Sequence, residues 1–348
     1  MSGVATRRVA PADDGLRLDR WFRAHYPALS HGALEKLLRK GQIRVNGGRV
    51  KASRRVAAGE EVRVPPLPEA ASAPASALAS APGRRSQRTS DPADAARLRD
   101  MTIYEDEQLI ALNKPFGLAV QGGSKTTRHV DGMLAAREAN GDRPRLTHRL
   151  DRDTGGVLVV AKTRVAAAAL AGAFRGRDVE KTYWALAVGA PRPREGTIRL
   201  DVAKRMARGD EGRAKVVPAA GEDAKFALTD FQTVDVSGAA SFLALKPVTG
   251  RTHQLRVHCA AIGHPIVGDR KYGGPEAVVD GVAPRLHLFC REMRFAHPAT
   301  GAPLSIVAPL TGHMADTWRF FGFDANARVD WPDLKKPSAA ARRKPRAR

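Results

Sequence analysis

Cysteine is nearly absent from this 348-residue chain, which contains only Cys259 and Cys290. Neither belongs to a CxxC pair or to a Cys/His cluster, so the sequence predicts neither a zinc site nor a disulfide framework. We expect both cysteines to be small buried apolar side chains, and we expect no bound metal.

Long apolar segments are also missing. No run approaches the ~20 apolar residues that cross a bilayer, and the first fifteen residues carry charge without the apolar core of a secretory signal. Binding to an anionic membrane surface would require a basic amphipathic stretch, and we identify none. We therefore expect a cytoplasmic protein with no membrane partner.

Acidic residues are outnumbered by basic ones. The chain has 36 Asp and Glu against 58 Lys and Arg, which gives a formal net charge of +22. This excess is larger than solubility requires, and a field of that sign attracts polyanions. The charge predicts nucleic acid as the partner, and nothing in the sequence indicates a protein partner.

Two common enzyme motifs, GxGxxG and GxSxG, do not occur, which weakens nucleotide-dependent and serine-hydrolase interpretations. From residue 101 onward, short β-rich runs such as "GVLVVAKT", "KTYWALAVG" and "ASFLALKPV" alternate with glycine-rich turns, and an Ala-rich segment near 164–174 predicts a helix. No regular strand, helix, strand alternation recurs. The pattern predicts a mixed α+β fold rather than a doubly wound sheet.

A change in composition divides the chain. Residues 65–98 are rich in Ala, Pro and Ser, and such a segment cannot bury enough apolar surface to fold. We interpret it as a flexible linker between a small domain (1–64) and a catalytic domain (99–325). The remaining tail (326–348) contains "KKPSAAARRKPRAR", which has no acid, and we expect it to be disordered and to hold RNA without selecting it.

The small domain shows two helical patterns followed by a turn. Leu18, Trp21 and Phe22 have helical spacing, and leucines 34, 37 and 38 repeat it after the candidate cap Ser30. Gly41 is a predicted helix end. The segment "IRVNGGRV" alternates apolar and polar residues around Asn46-Gly47, which predicts a hairpin.

Basic residues gather on one side of this small domain. Lys36, Arg39 and Lys40 fall on the helix face opposite the leucines, and the hairpin brings Arg44 near them. An ordinary solvated helix face is the simpler alternative, but the combined patch predicts phosphate contacts. Residues 16–64 resemble the small RNA-binding S-four domain, with two helices followed by a short sheet.

The most informative segment is "LTHRLDRDTGGVLVVAKT", where His148, Arg149, Asp151 and Arg152 precede an apolar strand. Asp153 and Thr154 are explained by a polar turn, in which the two following glycines supply positive φ. The segment resembles, nearly letter for letter, the "HRLD", two residues, "TxG" motif of the RluA family of pseudouridine synthases. The resemblance implies that Asp151 is the catalytic residue and that Arg149 fills the space left by a displaced base.

A second segment, "TGRTHQLRVHCAAIGHP", predicts a helix from 253 to 262, capped by Thr252 and ended by Gly263 and Pro265. Two histidines five residues apart point about 140° away from each other on a helix, so His253 and His258 cannot chelate a metal together. The segment resembles the family motif "GRxHQxR". That resemblance implies that Arg256 pairs with the catalytic carboxylate.

Further segments extend the resemblance to about residues 100–312. Tyr183 and Trp184 alternate across a predicted strand, and spacing alone does not say which of them faces a site. The family "KxY" tyrosine, which lies beneath the target base, corresponds to Tyr183. The segments "LNKPFGLAVQGG", with Lys114, and "GDRKYGG" also match the family.

These resemblances imply an RNA pseudouridine synthase of the RluC-like branch that needs no cofactor and acts on large-subunit ribosomal RNA. We place His148 and Arg152 among its RNA contacts. Three alternatives remain: an RsuA-type synthase, a synthase directed to transfer RNA, and a non-catalytic RNA-binding factor for ribosome assembly. The RsuA-type interpretation is disfavoured because "THQLRVH" stands where we expect a segment like "NRQIRRM".

Overall fold

A computed structural model describes residues 4–27, 29–67, 92–122, 126, 128–138, 142–206, 214–221 and 223–331. The chain divides into two compact units, residues 1–87 and residues 88–348. We refer to them as the small unit and the large unit. None of the described helices has the length and apolar character that crossing a bilayer demands.

The described residues of the small unit form two α-helices and a three-stranded sheet. The elements are β1 (Ala5–Arg8), α1 (Leu18–His25), α2 (His31–Arg39), β2 (Arg44–Val45) and β3 (Glu61–Val64), and the strand order is β1-β3-β2. Both predicted helices are confirmed. The Ser30 hydroxyl caps α2 by accepting a hydrogen bond from the Ala33 amide at 3.3 Å. Leu18, Trp21 and Phe22 pack into the core of this unit.

The predicted turn at Asn46-Gly47 is confirmed, because both residues have positive φ, 47° and 75°. The predicted return strand is wrong. Beyond the turn only an isolated bridge joins Val45 to Gly48, and β2 pairs with β3 instead. The reason lies in the core, where Val62 of β3 is fully buried while residues 46–49 are exposed.

The described part of the large unit begins with helix α3 (Pro92–Met101), which corrects the predicted linker. Residues 68–91 of that linker lie outside the described residues, but 92–98 are helical and Leu98 is buried in the core. A single apolar residue among Ala, Asp and Arg gives no periodic signal. The predicted tail also begins too early, since Ala327 packs against the same core; its residues 332–348 lie outside the described residues.

A ten-stranded sheet forms the centre of the large unit. The described part of this unit has twelve strands: β4 (Thr102–Glu105), β5 (Leu109–Lys114), β6 (Arg145–Leu146), β7 (Gly155–Ala161), β8 (Glu180–Val188), β9 (Glu195–Arg199), β10 (Val202–Met206), β11 (Ala214–Pro218), β12 (Leu228–Ser237), β13 (Ala240–Pro247), β14 (Leu288–Ala296) and β15 (Pro303–Val307). The order in the large sheet is β4-β5-β7-β14-β8-β13-β12-β9, with β15 on β14 and β6 on β7. Strands β10 and β11 form a separate pair. Among these described strands, β7 and β14 run parallel and the other pairs are antiparallel.

Four further helices accompany the sheet: α4 (Val130–Met133), α5 (Arg164–Gly176), α6 (Gln254–Ala261) and α7 (Gly312–Phe321). Helices α5 and α6 confirm the helices predicted at 164–174 and 253–262, but the predicted cap Thr252 is wrong, because His253 is the N-cap of α6. All seven residues of β7 are buried, as its apolar run predicts. The mixed α+β fold is therefore confirmed. The loop that carries Asp151 leads directly into the buried strand β7.

Candidate active site

Two cavities of the large unit meet at Asp151. The first has a volume of about 560 Å³, and its walls include Tyr183, Lys181, His148, Phe174 and Leu288. The second has a volume of about 1150 Å³, and its walls include Arg152, Arg270, Lys271, Arg285, Phe116 and His313. Arg149, His253 and Arg256 line both. The carboxylate thus stands between a partly apolar cavity and one rich in cations.

Asp151 lies in the short loop that leads into β7, and its side chain is 32% exposed. The Thr154 amide donates to the Asp151 carbonyl at 3.2 Å, which closes a turn. Asp153 pairs with the exposed Arg152, with 3.1 Å between carboxylate and guanidinium. These contacts confirm the polar turn that the sequence predicts, and they leave the Asp151 carboxylate facing the cavities.

Lys114 anchors the loop that carries Asp151 through a hydrogen bond to the Arg152 carbonyl. Its ammonium is fully buried and donates to the carbonyls of Pro115, Leu118 and Arg152 at 2.9, 2.9 and 3.0 Å. Burial lowers the pKa of Lys114 to about 7, and the carboxylates of Asp153 and Asp151 oppose that shift. The sequence marked Lys114 only as a family match, because a lysine in a chain gives no sign of its burial.

The glycines after Asp151 serve a close approach of two strands. Gly156 has φ of 102°, as predicted, whereas Gly155 does not have positive φ, and both lie within β7 rather than in a turn. It pairs with Cys290 of β14, and a Cβ at this position would lie 2.1 Å from the Cys290 carbonyl oxygen. Only glycine therefore lets β7 pack here against β14, which sets the position of the loop carrying Asp151.

The predicted ion pair between Arg256 and Asp151 is wrong, because Arg256 pairs with Asp269 instead. Its guanidinium makes two hydrogen bonds to the carboxylate of Asp269, at 2.8 and 2.7 Å, and Asp269 is 1% exposed. Burial lowers the pKa of Arg256, but the hydrogen bonds and charge of Asp269 raise it above its ordinary value, and the charge of Asp151 adds a smaller, longer-range contribution. The sequence could not choose between the two carboxylates. Asp269 also accepts from the backbone amides of Lys271 and Tyr272, so this pair fixes the loop after α6.

His253, which the sequence offered only as a possible metal ligand, lies beside Asp151. Its Nε2 lies 3.6 Å from Asp151 Oδ2, and its Nδ1 lies 2.7 Å from the Tyr272 hydroxyl. The available signal was its place in "GRTHQLR", but residue spacing alone does not reveal a contact with a loop a hundred positions away.

Tyr183 and Trp184 face opposite sides of β8, as alternation requires. Trp184 is 1% exposed and belongs to the core, whereas Tyr183 lines the first cavity. Burial raises the pKa of the Tyr183 phenol well above its ordinary value, and the Cys290 thiol and the Asp151 carboxylate reinforce the shift. The ring is therefore a neutral aromatic wall. Lys181, two residues earlier on the same face, adds an ammonium group whose pKa burial lowers.

The three basic residues around Asp151 differ in their surroundings. His148 accepts a hydrogen bond from the Val159 amide at 2.8 Å and stacks on Phe174 with 4.4 Å between ring centroids. Burial and the charge of Lys181 lower the pKa of His148 to about 3, so the ring is neutral and braces β7. Its assignment as an RNA contact stays a prediction, and the neutral ring lines the first cavity. Arg149 and Arg152 are exposed and remain available to a ligand.

The predicted basic patch of the small unit is exposed in part. Lys36, Arg39 and Lys40 are exposed on α2, opposite the buried Leu34 and Leu38. In contrast, Arg44 is half-buried and is engaged in the turn, because its guanidinium donates to the carbonyls of Gly41 and Gly47. The first three cations can meet a partner directly, and Arg44 mainly shapes the turn beside them.

Comparison with known proteins identifies both units. Residues 108–261 match the family described as RNA pseudouridylate synthase, and residues 16–62 match the S4 domain. The proteins named "Ribosomal large subunit pseudouridine synthase C" include one from Salmonella typhimurium, 34% identical over 87% of this chain and 92% of its own length. That from Yersinia pestis is 35% identical over 88% of this chain and 92% of its own length.

A solved structure agrees with this assignment. "Human RNA Pseudouridylate Synthase Domain Containing 4" superposes with a TM-score of 0.54 and 27% identity, over 66% of this chain and 95% of the human chain. Both the sequence likeness along nearly the whole chain and the fold lead to one conclusion: the chain belongs to the RNA pseudouridylate synthase family, and it is an isomerase that converts uridine in RNA to pseudouridine.

Proposed function

We propose that this enzyme modifies uridines of large-subunit ribosomal RNA and that Asp151 is its catalytic carboxylate. One observation carries the role of Asp151: its carboxylate stands where the tyrosine-walled cavity meets the cationic cavity. The names of the relatives from Salmonella typhimurium and Yersinia pestis, both ribosomal large subunit pseudouridine synthases, support the choice of RNA. We also propose that the enzyme works in the cytoplasm, where such an RNA substrate is met.

The reaction breaks the bond between ribose C1′ and N1 of uracil and joins C1′ to C5. C5 loses a proton and N1 gains one, so there is neither net redox change nor hydrolysis. Asp151 can serve by attack on the sugar, by attack on the ring or by taking a proton from the sugar. All three routes require a carboxylate within reach of a base held in the first cavity.

We assign the flanking residues as follows. Tyr183 stacks against the uracil, because its neutral ring forms a wall of the cavity that Asp151 borders. Arg149 is exposed at both cavities and fills the space left by the flipped base, which offsets part of an unstacking cost of a few kcal/mol. Arg152 contacts the RNA backbone. Arg256 positions the site through Asp269 rather than through the reacting carboxylate.

We propose that the two units divide the work between an RNA-binding domain within residues 1–64 and a catalytic domain that begins with α3. Lys36, Arg39 and Lys40 are exposed cations on one helix face of the small unit. Such side chains bind phosphates through charge, without reading sequence. The small unit therefore adds affinity, and the large unit performs the isomerisation.

The test is to incubate the purified protein separately with transcribed large-subunit ribosomal RNA and with transfer RNA, and then to map pseudouridine. Mapping total RNA from a strain that lacks the gene locates the natural target. Pseudouridine in ribosomal RNA alone supports the proposal, and pseudouridine in transfer RNA alone contradicts the substrate. Binding without any product would support the alternative of a non-catalytic assembly factor.

A further inference from the structure

His253 has a strained backbone beside the catalytic loop. Its φ of 53° and ψ of 19° place it in the left-handed region at the N-cap of α6. Non-glycine residues rarely adopt this conformation, which costs free energy and recurs at functional sites. The strain therefore calls for contacts that keep His253 in this position.

The neighbouring Gln254 supplies such contacts. It is 3% exposed, and its amide oxygen accepts from the Thr249 hydroxyl at 2.7 Å and from the Arg251 amide at 3.0 Å. Its amide nitrogen donates to the Leu228 carbonyl at 2.8 Å and to the Thr229 hydroxyl at 2.9 Å. With four hydrogen bonds, Gln254 anchors the start of α6, so the preceding residue has little freedom to relax.

The two ring nitrogens of His253 face two different groups. Nδ1 lies 2.7 Å from the Tyr272 hydroxyl, and Nε2 lies 3.6 Å from Asp151 Oδ2. A carboxylate only accepts hydrogen bonds, so the neutral ring that suits this arrangement carries its proton on Nε2. Nδ1 then accepts from the Tyr272 hydroxyl. The Nε2 hydrogen then faces Asp151 Oδ2 across 3.6 Å, which is longer than a hydrogen bond.

The surroundings favour the neutral ring. Burial lowers the pKa of His253 below its ordinary value, and the charges of Arg256 and Lys271 reinforce that shift. The carboxylates of Asp151 and Asp269 oppose it, while Tyr272 contributes the hydrogen bond to Nδ1. Arg149 shares both cavities with the ring. Protonation at low pH would turn the contact into an ion pair and hold the carboxylate away from the base.

We propose that His253, oriented by Tyr272, is a positioning residue that directs the Asp151 carboxylate towards the first cavity. This inference rests on the proposed role of Asp151 as the reacting group. It predicts that activity falls at low pH as the ring gains a proton, and that the midpoint of this fall lies below the ordinary histidine pKa of about 6.5.

The test uses variants that tolerate positive φ. His253→Asn and His253→Gly both accept the left-handed conformation, so the fold is retained while the imidazole is lost. Tyr272→Phe removes only the hydroxyl that orients the ring. His264→Asn is the matched control, because His264 bonds the Val188 carbonyl at 2.9 Å and lines a different cavity. Single-turnover rates, RNA Kd values and thermal unfolding are measured across pH.

We expect the rate to fall about 100-fold in His253→Gly, since misplacing a reacting group by about 1 Å has an effect of that size. Tyr272→Phe should lose about tenfold. His253→Gly and Tyr272→Phe should keep the RNA Kd within about twofold of the wild type. The control His264→Asn should keep both the RNA Kd and the rate. The acid limb of the wild-type pH profile should disappear in His253→Asn.

Two results would overturn the inference: rates within twofold of the wild type in both histidine variants, or a reduced rate with an unchanged acid limb. The second result would mean a structural role only. If the histidine variants unfold, Tyr272→Phe alone decides. Failure of the proposed function is distinct, because the wild type would then make no pseudouridine or Asp151→Asn would remain active.

Discussion

Two sets of basic residues, one in each unit, act in opposite ways. On α2 of the small unit, Lys36, Arg39 and Lys40 are exposed and form no ion pair with any residue in the described ranges. In the large unit Lys114 is fully buried against three carbonyls, and Arg256 is tied to Asp269. The first group can act on a distant polyanion and is screened by salt, whereas the second acts through geometry. The net charge of +22 therefore includes cations that serve two different functions.

The largest expected effect separates chemistry from binding. Asp151→Asn keeps the shape of the side chain but removes the carboxylate, so pseudouridine formation should fall by about 1,000-fold or more. RNA Kd should stay within about threefold, because the cations of both units are untouched. Product analysis by mass spectrometry and a filter-binding titration measure the two quantities. Substantial residual turnover would contradict the role of Asp151.

The second effect tests whether a buried cation acts through geometry. Lys114→Met leaves three carbonyl oxygens without a donor, which should lower the free energy of unfolding by about 2–4 kcal/mol and disorder the Asp151 loop. Chemical denaturation and turnover should both show the loss. Lys162→Met is the control, since Lys162 is partly exposed beside Glu105 and lies outside the two cavities. Equal stability of the two variants would refute the role of Lys114.

The third effect concerns the exposed cations. Replacing Lys36, Arg39 and Lys40 together with Gln should weaken RNA binding about tenfold and reduce the slope of log K against log salt by about 2 to 3. The bound-state rate should not change. Arg17→Gln is the matched control, because Arg17 is already paired with Asp19 at 2.6 Å. An unchanged salt slope in the triple variant would remove the patch from the RNA interface.

The smallest effect lies inside the small unit. Glu60 accepts from Arg54 at 2.6 and 2.9 Å, and these hydrogen bonds and one from the Ala57 amide lower its pKa. A lowered carboxyl pKa stabilises the fold above the unfolded value of about 4.3 and loses that contribution as pH falls through the folded value. Glu60→Gln should therefore cost about 0.5–1 kcal/mol at pH 7 and nothing in strong acid. Thermal unfolding at both pH values measures the difference.

Much of this molecule could be predicted from local sequence. Helices α1, α2, α5 and α6 and the strands around "GVLVVA" follow from apolar periodicity, and the motif around Asp151 follows from resemblance. The features that the sequence did not predict depend on contacts between distant segments. The choice of Asp269 as partner of Arg256, the burial of Lys114 and the approach of His253 to Asp151 all depend on how loops meet around the sheet.

Two further features could not be read from the sequence. His148 belongs to the right motif, but the motif does not indicate that its ring accepts a hydrogen bond from the Val159 amide. The start of α3 was hidden because its single buried apolar anchor, Leu98, follows a segment of linker composition. In both cases the residue type could be read from the sequence, but the neighbour that the side chain contacts could not, because tertiary packing determines that neighbour.

The glycine at position 156 offers a criterion for reading other sequences. Since any Cβ there would meet the Cys290 carbonyl oxygen at 2.1 Å, a side chain would force β7 away from β14 and displace the loop that carries Asp151. A genome search that stops at the aspartate would accept chains whose carboxylate cannot reach its place. Requiring the second glycine as well would exclude chains that match the motif around the aspartate but cannot bring the carboxylate into place.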